Sequence, residues 1–171
     1  MIEIVKHIVR FILFLFAQVY VFNNLEIGLG IQFMIYPLFI FLLPNNLNIF
    51  LLMTISFAMG LSIDSLSNTY GLHASASVLV AYGRPYLMKL FEPRDGYPPA
   101  TDLTLHTMGY VWFSSVYAIF LLAHIFWFFL IEQFKWSEFW FMILKVILSV
   151  PLSLGMSILI QLLFFKKPVT R

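Results

Sequence analysis

Long apolar runs, broken by short polar or helix-breaking clusters, organise the whole 171-residue chain. The runs cover 7–23, 29–43, 47–63, 73–91, 105–131 and 139–165. A transmembrane helix needs ~20 predominantly apolar residues, so the pattern predicts an all-α polytopic membrane protein of six transmembrane helices. The runs are continuously apolar rather than alternating, which disfavours membrane-spanning strands. No internal repeat or low-complexity linker divides the chain, so a single transmembrane domain over 1–171 is expected. The first run has a basic flank, as a secretory signal has. Its end, FAQVYVFNN, offers no A-x-A cleavage site, so it reads as a retained helix.

Two runs are irregular. The second is short, ~22 Å at 1.5 Å per residue against a ~30 Å hydrocarbon core, and contains Pro37. Two readings stand for it: a kinked helix covered by partners, or a discontinuous helix lining a ligand site. The fourth opens with HASASVLVAYG, whose small residues allow close helix packing. It then meets Arg84 and Pro85, where it either ends or kinks and continues.

Composition sharpens the picture. Hydrophobic residues make up 61% and charged residues 11%, against about 25% charged in an ordinary soluble domain, so a large soluble domain is excluded. The ten Lys and Arg are scattered and the net charge is only +2, which argues against a nucleic-acid-binding face. With no cysteine, disulfides and thiolate metal sites are excluded. Charge also sets the orientation. Lys6, Arg10, Arg84, Lys89, Arg94, Lys166, Lys167 and Arg171 fall on one side and Lys135 alone on the other. Both termini and the loop 92–104 are therefore expected to be cytoplasmic. Trp136 and Trp140 then sit at the outer interface, and Tyr110 and Trp112 at the inner one.

Few residues carry chemistry. Asp64 closes the third run, and a carboxylate at membrane depth marks either a polar partner or a function. Capping the following helix is the simpler role. Asn68 and Thr69 are turn formers, and Gly71 supplies the positive φ of a tight reversal. Gly71 is thus expected to tolerate replacement least. His73 opens the fourth run within reach of Asp64, but two ligands do not make a metal site. Arg84 is expected to snorkel to the inner headgroups beside the Pro85 break, the alternative being an internal ion pair or an anion-facing role. Lys145, about 9 Å inside the sixth run, either snorkels outward with Glu132 or Glu138 as partner or meets a neighbouring subunit. His124 and Gln161 read as interhelical hydrogen-bonding groups. No catalytic motif, phosphate-binding loop or paired carboxylates appear, so no enzyme, cofactor or metal is expected.

The stretch AMGLSIDSLSNTYGLHASASVLVAYGRPYLMKLFEPRDGYP, over 58–98, resembles MreD, the rod shape-determining membrane protein family, in its Bacteroidota-type version. The likeness rests on Gly60…Asp64, Asn68-Thr69-x-Gly71-x-His73-Ala74, Arg84-Pro85 and the Pro93-Arg94-Asp95-Gly96-Tyr97 loop. The first, fifth and sixth runs match in hydropathy alone. The resemblance implies a non-catalytic scaffold of the elongasome in the bacterial inner membrane. Its partners would be an MreC-like bitopic protein, with a RodA-type glycosyltransferase, a class B penicillin-binding protein and MreB alongside. It also implies a fold similar to the substrate-binding subunits of energy-coupling-factor transporters. Asp64, Asn68, Gly71, His73, Arg84 and Pro85 carry over as structural or partner-facing positions, with no catalytic residues. The alternative is a small-molecule-binding subunit of such a transporter. Those subunits typically show small residues four apart on the first helix, where HIVRFILFLFAQVYVFN has one Ala and no Gly or Ser.

Overall fold

The structure, a computed structural model, describes residues 2–25, 28, 30–97, 103–133 and 136–165. Helix α1 (Ile2–Phe16) runs on through a π-helical turn (Ala17–Val21) and a 3-10 turn (Phe22–Asn24). There follow α2 (Pro37–Phe41), α3 (Ile49–Ser67), α4 (Leu72–Leu90), α5 (Leu105–Met108), α6 (Tyr110–Glu132) and α7 (Phe139–Phe164). No strand occurs among the described residues. Among the described residues, four segments are long and apolar enough to cross a membrane: Ile4–Asn24, Ile49–Ser67, Tyr110–Glu132 and Phe139–Phe164. The chain is an all-α membrane protein. Lys135, Lys166, Lys167 and Arg171, on which part of the charge asymmetry rests, lie outside the described residues, as do 98–102 of the loop and the side chain of Trp136.

Helices α3 and α4 form a tight hairpin, with Asn68 (φ 56°) and Gly71 (φ 86°) in the left-handed region at its turn. Gly60 sets the closeness of the pair. A Cβ built there would lie 2.5 Å from Ala74 Cα and 2.6 Å from both Ala74 N and the His73 carbonyl oxygen. At Gly71 the Cβ would meet nothing within 4 Å. The intolerance expected of Gly71 is therefore a matter of φ alone, and Gly60 is the more constrained of the two.

The run expected to be a second spanning helix is instead mostly non-helical. Only Pro37–Phe41 is helical, with Pro37 in its first turn, where a missing N–H costs nothing. This segment forms the centre of the core. Met34, Tyr36, Leu38, Ile40 and Phe41 are fully buried. Phe41 packs edge-on against Phe113, Tyr117 and Phe120 of α6, with centroids 5.6, 5.1 and 5.4 Å away. The outward faces of α1 (Ile8, Leu13, Phe16) and α7 (Leu144, Ile147, Leu159) are exposed, as lipid-facing helix surfaces are.

The fourth run neither ends nor breaks at Pro85, since α4 is continuous through it. The fifth run is divided at Gly109 (φ 84°, ψ 159°), which separates α5 from α6.

Candidate functional site

Four clusters of polar side chains stand out among the described residues, and the first three accompany a local departure from regular helix. The first holds the α3–α4 turn. Asp64 Oδ1 accepts from Thr69 Oγ1 (2.6 Å) and from the His73 amide (3.1 Å), while Oδ2 accepts from the Ala74 amide (2.8 Å). One carboxylate thus caps the first turn of α4 across the hairpin. His73 Nδ1 also lies 3.1 Å from Asp64 Oδ1, and the His73 ring packs edge-on to Phe128 at 4.7 Å.

Thr69, His73 and Asp64 invite comparison with a nucleophile–base–acid triad, but the geometry differs. A triad sets the nucleophile on one imidazole nitrogen and the carboxylate on the other. Here Thr69 Oγ1 (3.1 Å) and Asp64 Oδ1 (3.1 Å) both approach Nδ1, and the hydroxyl hydrogen goes to the carboxylate. The cluster is a cap. Asp64→Asn keeps an acceptor on one side only, because its amide nitrogen cannot accept. The variant should therefore lose about 1 kcal/mol and Asp64→Ala more, read as the order of melting temperatures in detergent.

The second cluster clamps the non-helical segment 31–36, and sequence reasoning missed most of it. Gln18, buried on the π-helical turn after α1, accepts on Oε1 from the amides of Ile35 (2.8 Å) and Tyr36 (3.3 Å). Its Nε2 donates to the Phe33 carbonyl (2.8 Å) and to Asn23 Oδ1 (2.8 Å). From α7, Ser149 Oγ accepts from the Gln32 amide (3.1 Å) and Ser153 Oγ from the Met34 amide (2.9 Å). One and two turns further along α7, Ser157 bonds the Tyr117 hydroxyl (3.1 Å), and Gln161 Oε1 accepts from the Leu105 amide at the start of α5 (2.8 Å). Buried non-helical backbone needs partners for its amides and carbonyls, and these side chains supply them. Ser153→Ala leaves the Met34 amide buried without a partner. A loss of about 1–2 kcal/mol is expected, with faster hydrogen exchange confined to 31–36.

Arg84 forms the third cluster. It is 2% exposed and does not snorkel. Its Nε donates to the Phe41 carbonyl (3.2 Å), Nη1 to that of Pro44 (3.5 Å), and Nη2 to that of Leu43. The guanidinium fork gathers carbonyls at and just beyond the carboxyl end of α2, of which that of Pro44 also accepts from the Leu47 amide (3.4 Å). Nearby, Tyr97 donates to the Met88 carbonyl (2.5 Å) and Trp112 Nε1 to that of Phe91 (2.7 Å), anchoring the chain after α4. Burial and Glu92 push the Tyr97 phenol up to about 12, which keeps it a donor.

In the fourth cluster, Lys145 Nζ lies 3.8 Å from Glu132 Oε2. It sits 5.4 Å and 5.3 Å from the ring centroids of Phe129 and Phe141. Its stem crosses Gly30, where a Cβ would meet Lys145 Cε at 2.7 Å. Deeper in the core, Tyr36 Oη and His124 Nε2 are 2.6 Å apart.

Among the described residues a hollow of about 450 Å³ lies between the end of α1, residues 28–33, the α3–α4 turn and α6, and another of about 540 Å³ lies beside Phe91, Gly109 and Trp112. No three His, Asp or Glu side chains gather into a metal site among the described residues. Comparison with protein-family models, with curated proteins and with solved structures finds no match to this chain.

Proposed function

We propose that this chain is a non-catalytic membrane scaffold of the bacterial elongasome, an MreD-like protein that supports lateral wall synthesis through an MreC-like single-span partner. In this reading the chain makes six passes, one of them by the non-helical segment and α2, in an arrangement like that of the substrate-binding subunits of energy-coupling-factor transporters. Both termini are cytoplasmic. The observation that carries the reading is the use made of the residues behind the resemblance. Gly60, Asp64, Thr69, His73 and Arg84 touch backbone or one another within this chain. A pattern of residues that holds an architecture fits a family without catalytic residues.

Affinity purification from mild detergent tests the function. Recovery of an MreC-like protein with wall synthases is expected. Recovery of a paired transporter ATPase would replace the scaffold by the transporter subunit. Orientation has its own test, because the native chain has no cysteine. Tyr70 is fully exposed at the α3–α4 turn and Arg94 is exposed after α4. An impermeant maleimide applied to intact, outer-membrane-permeabilised cells should label Tyr70→Cys and spare Arg94→Cys. The reverse pattern would invert the topology.

A further inference from the structure

Helix α7 carries a polar backbone group on the wrong side for its own bundle. Pro151 lies midway along this 26-residue helix, ~18 Å from its start. It has no amide hydrogen, so the carbonyl of Ile147 loses the donor of its helix bond. Both ends of the missing bond are outward: Ile147 is 59% exposed, and Pro151 is exposed. The serines of α7 lie on the opposite face. Ser149, Ser153 and Ser157 are fully buried there and bonded to Gln32, Met34 and Tyr117. Phe139–Phe164 is long and apolar enough to cross a membrane, which puts its middle in hydrocarbon, where neither water nor headgroups donate and an unbonded carbonyl is costly. A second feature sits one turn further on. Gly155 is exposed, and a Cβ added there meets nothing within 4 Å. It leaves a notch in the helix surface beside the carbonyl, and membrane helices approach one another most closely at such small residues.

We propose that this face of α7 docks a transmembrane helix of another protein, which donates a Ser, Thr, Asn or Gln side chain to the Ile147 carbonyl and lays its backbone against Gly155. Lipid tails fit the notch but cannot donate. A second copy of this face cannot donate either. From 144 to 159 its exposed positions are Leu144, Ile147, Pro151, Leu152, Gly155 and Leu159, none of which has a side-chain donor. Pro85 of α4 likewise frees the carbonyl of Ala81, but Ala81 is fully buried inside the bundle, away from any docking helix. The proposal goes beyond the scaffold reading, which names partners but places no contact, and it does not rest on that reading.

Photocrosslinking in the native membrane tests it. With p-benzoylphenylalanine at Leu144, two turns before Pro151 on the same face, irradiation should give a discrete protein adduct. The crosslinked peptide should come from a transmembrane segment of a different protein and contain one of the four donors. Gly155→Leu fills the notch, and Pro151→Ala returns the missing amide hydrogen to Ile147. Each should cut the adduct yield by about fivefold or more, the order expected from one interhelical hydrogen bond. Both positions are exposed, so abundance and melting temperature should hold in Gly155→Leu and hold or rise in Pro151→Ala. Loss of docking is thereby separated from loss of fold. Absence of a protein adduct, a crosslink between two copies of this chain, or a partner segment without a donor would overturn the proposal. So would an adduct yield unchanged in Pro151→Ala. A captured partner that meets these conditions but has no part in wall synthesis would leave the docking face standing and count against the scaffold reading alone.

Discussion

Gly60→Ala should be the most damaging single-methyl change in this chain. The added Cβ meets backbone rather than the flexible end of a side chain: Ala74 Cα at 2.5 Å, Ala74 N at 2.6 Å and the His73 carbonyl at 2.6 Å. Relief requires α3 and α4 to move apart. The same stretch of α4 supplies the His73 and Ala74 amides that Asp64, one turn beyond Gly60, caps at 3.1 and 2.8 Å. Overpacking of this kind costs about 1–3 kcal/mol, and weakening the cap adds about 1 kcal/mol. The expected result is a lower melting temperature and little monodisperse protein in detergent. Gly155 and Gly83, within α7 and α4, are the controls, because an added Cβ at either meets nothing within 4 Å. Alanine there should be neutral or stabilising by about 0.5–1 kcal/mol. Gly71→Ala should fall between, at about 1–2 kcal/mol for a Cβ at positive φ. If Gly71→Ala proved worse than Gly60→Ala, turn strain rather than helix contact would govern the hairpin.

The hairpin was the most legible part of the sequence. An apolar run ending in Asp64, a turn containing Asn68 and Gly71, and small residues at the start of the next run are all local signals. They placed α3 and α4 to within a few residues. The non-helical segment 31–36 was not legible, for a physical reason. Hydropathy reports what a backbone is surrounded by, not what its amides bond to, and both forms of the segment are equally oily. The information lay elsewhere in the chain, in Ser149, Ser153, Ser157 and Gln161 spaced four apart. That spacing puts all four on one face of α7, where they are fully buried. Gln18 is a second such marker on an otherwise oily helix. A polar ladder facing inward signals a neighbouring backbone that needs partners. At the candidate site the Asp64–His73 pairing could be anticipated from spacing. The cavity could not, because its walls come from four separate parts of the chain.

Arg84 shows how an isolated charge misleads when only its own helix is considered. Beside Pro85 it suggested a helix end and a side chain reaching for headgroups. In the structure the guanidinium is buried and turned on three carbonyls of another segment, those of Phe41, Leu43 and Pro44. Arg84→Met keeps an apolar stem and removes the fork, taking that donor from the buried Phe41 and Leu43 carbonyls, while the Pro44 carbonyl keeps the Leu47 amide at 3.4 Å. The gain from no longer desolvating a charge offsets part of the loss. Against it stand hydrogen bonds from a charged donor, worth about 1.5–3 kcal/mol each, so a net cost of about 3 kcal/mol is expected. Arg84→Lys should recover only part of it, because one ammonium cannot span carbonyls arranged for a planar fork. Lys89→Met, at an exposed position in the last turn of α4, should be close to neutral. Hydrogen exchange locates the effect: in Arg84→Met the amides of α2 and of 42–47 should exchange faster, while those of α6 and α7 keep their protection. Uniform loss of protection would mean that Arg84 supports the whole bundle. An Arg84→Met protein as stable as its parent would show that water or lipid headgroups satisfy these carbonyls, and that the guanidinium is not what holds α2 in place.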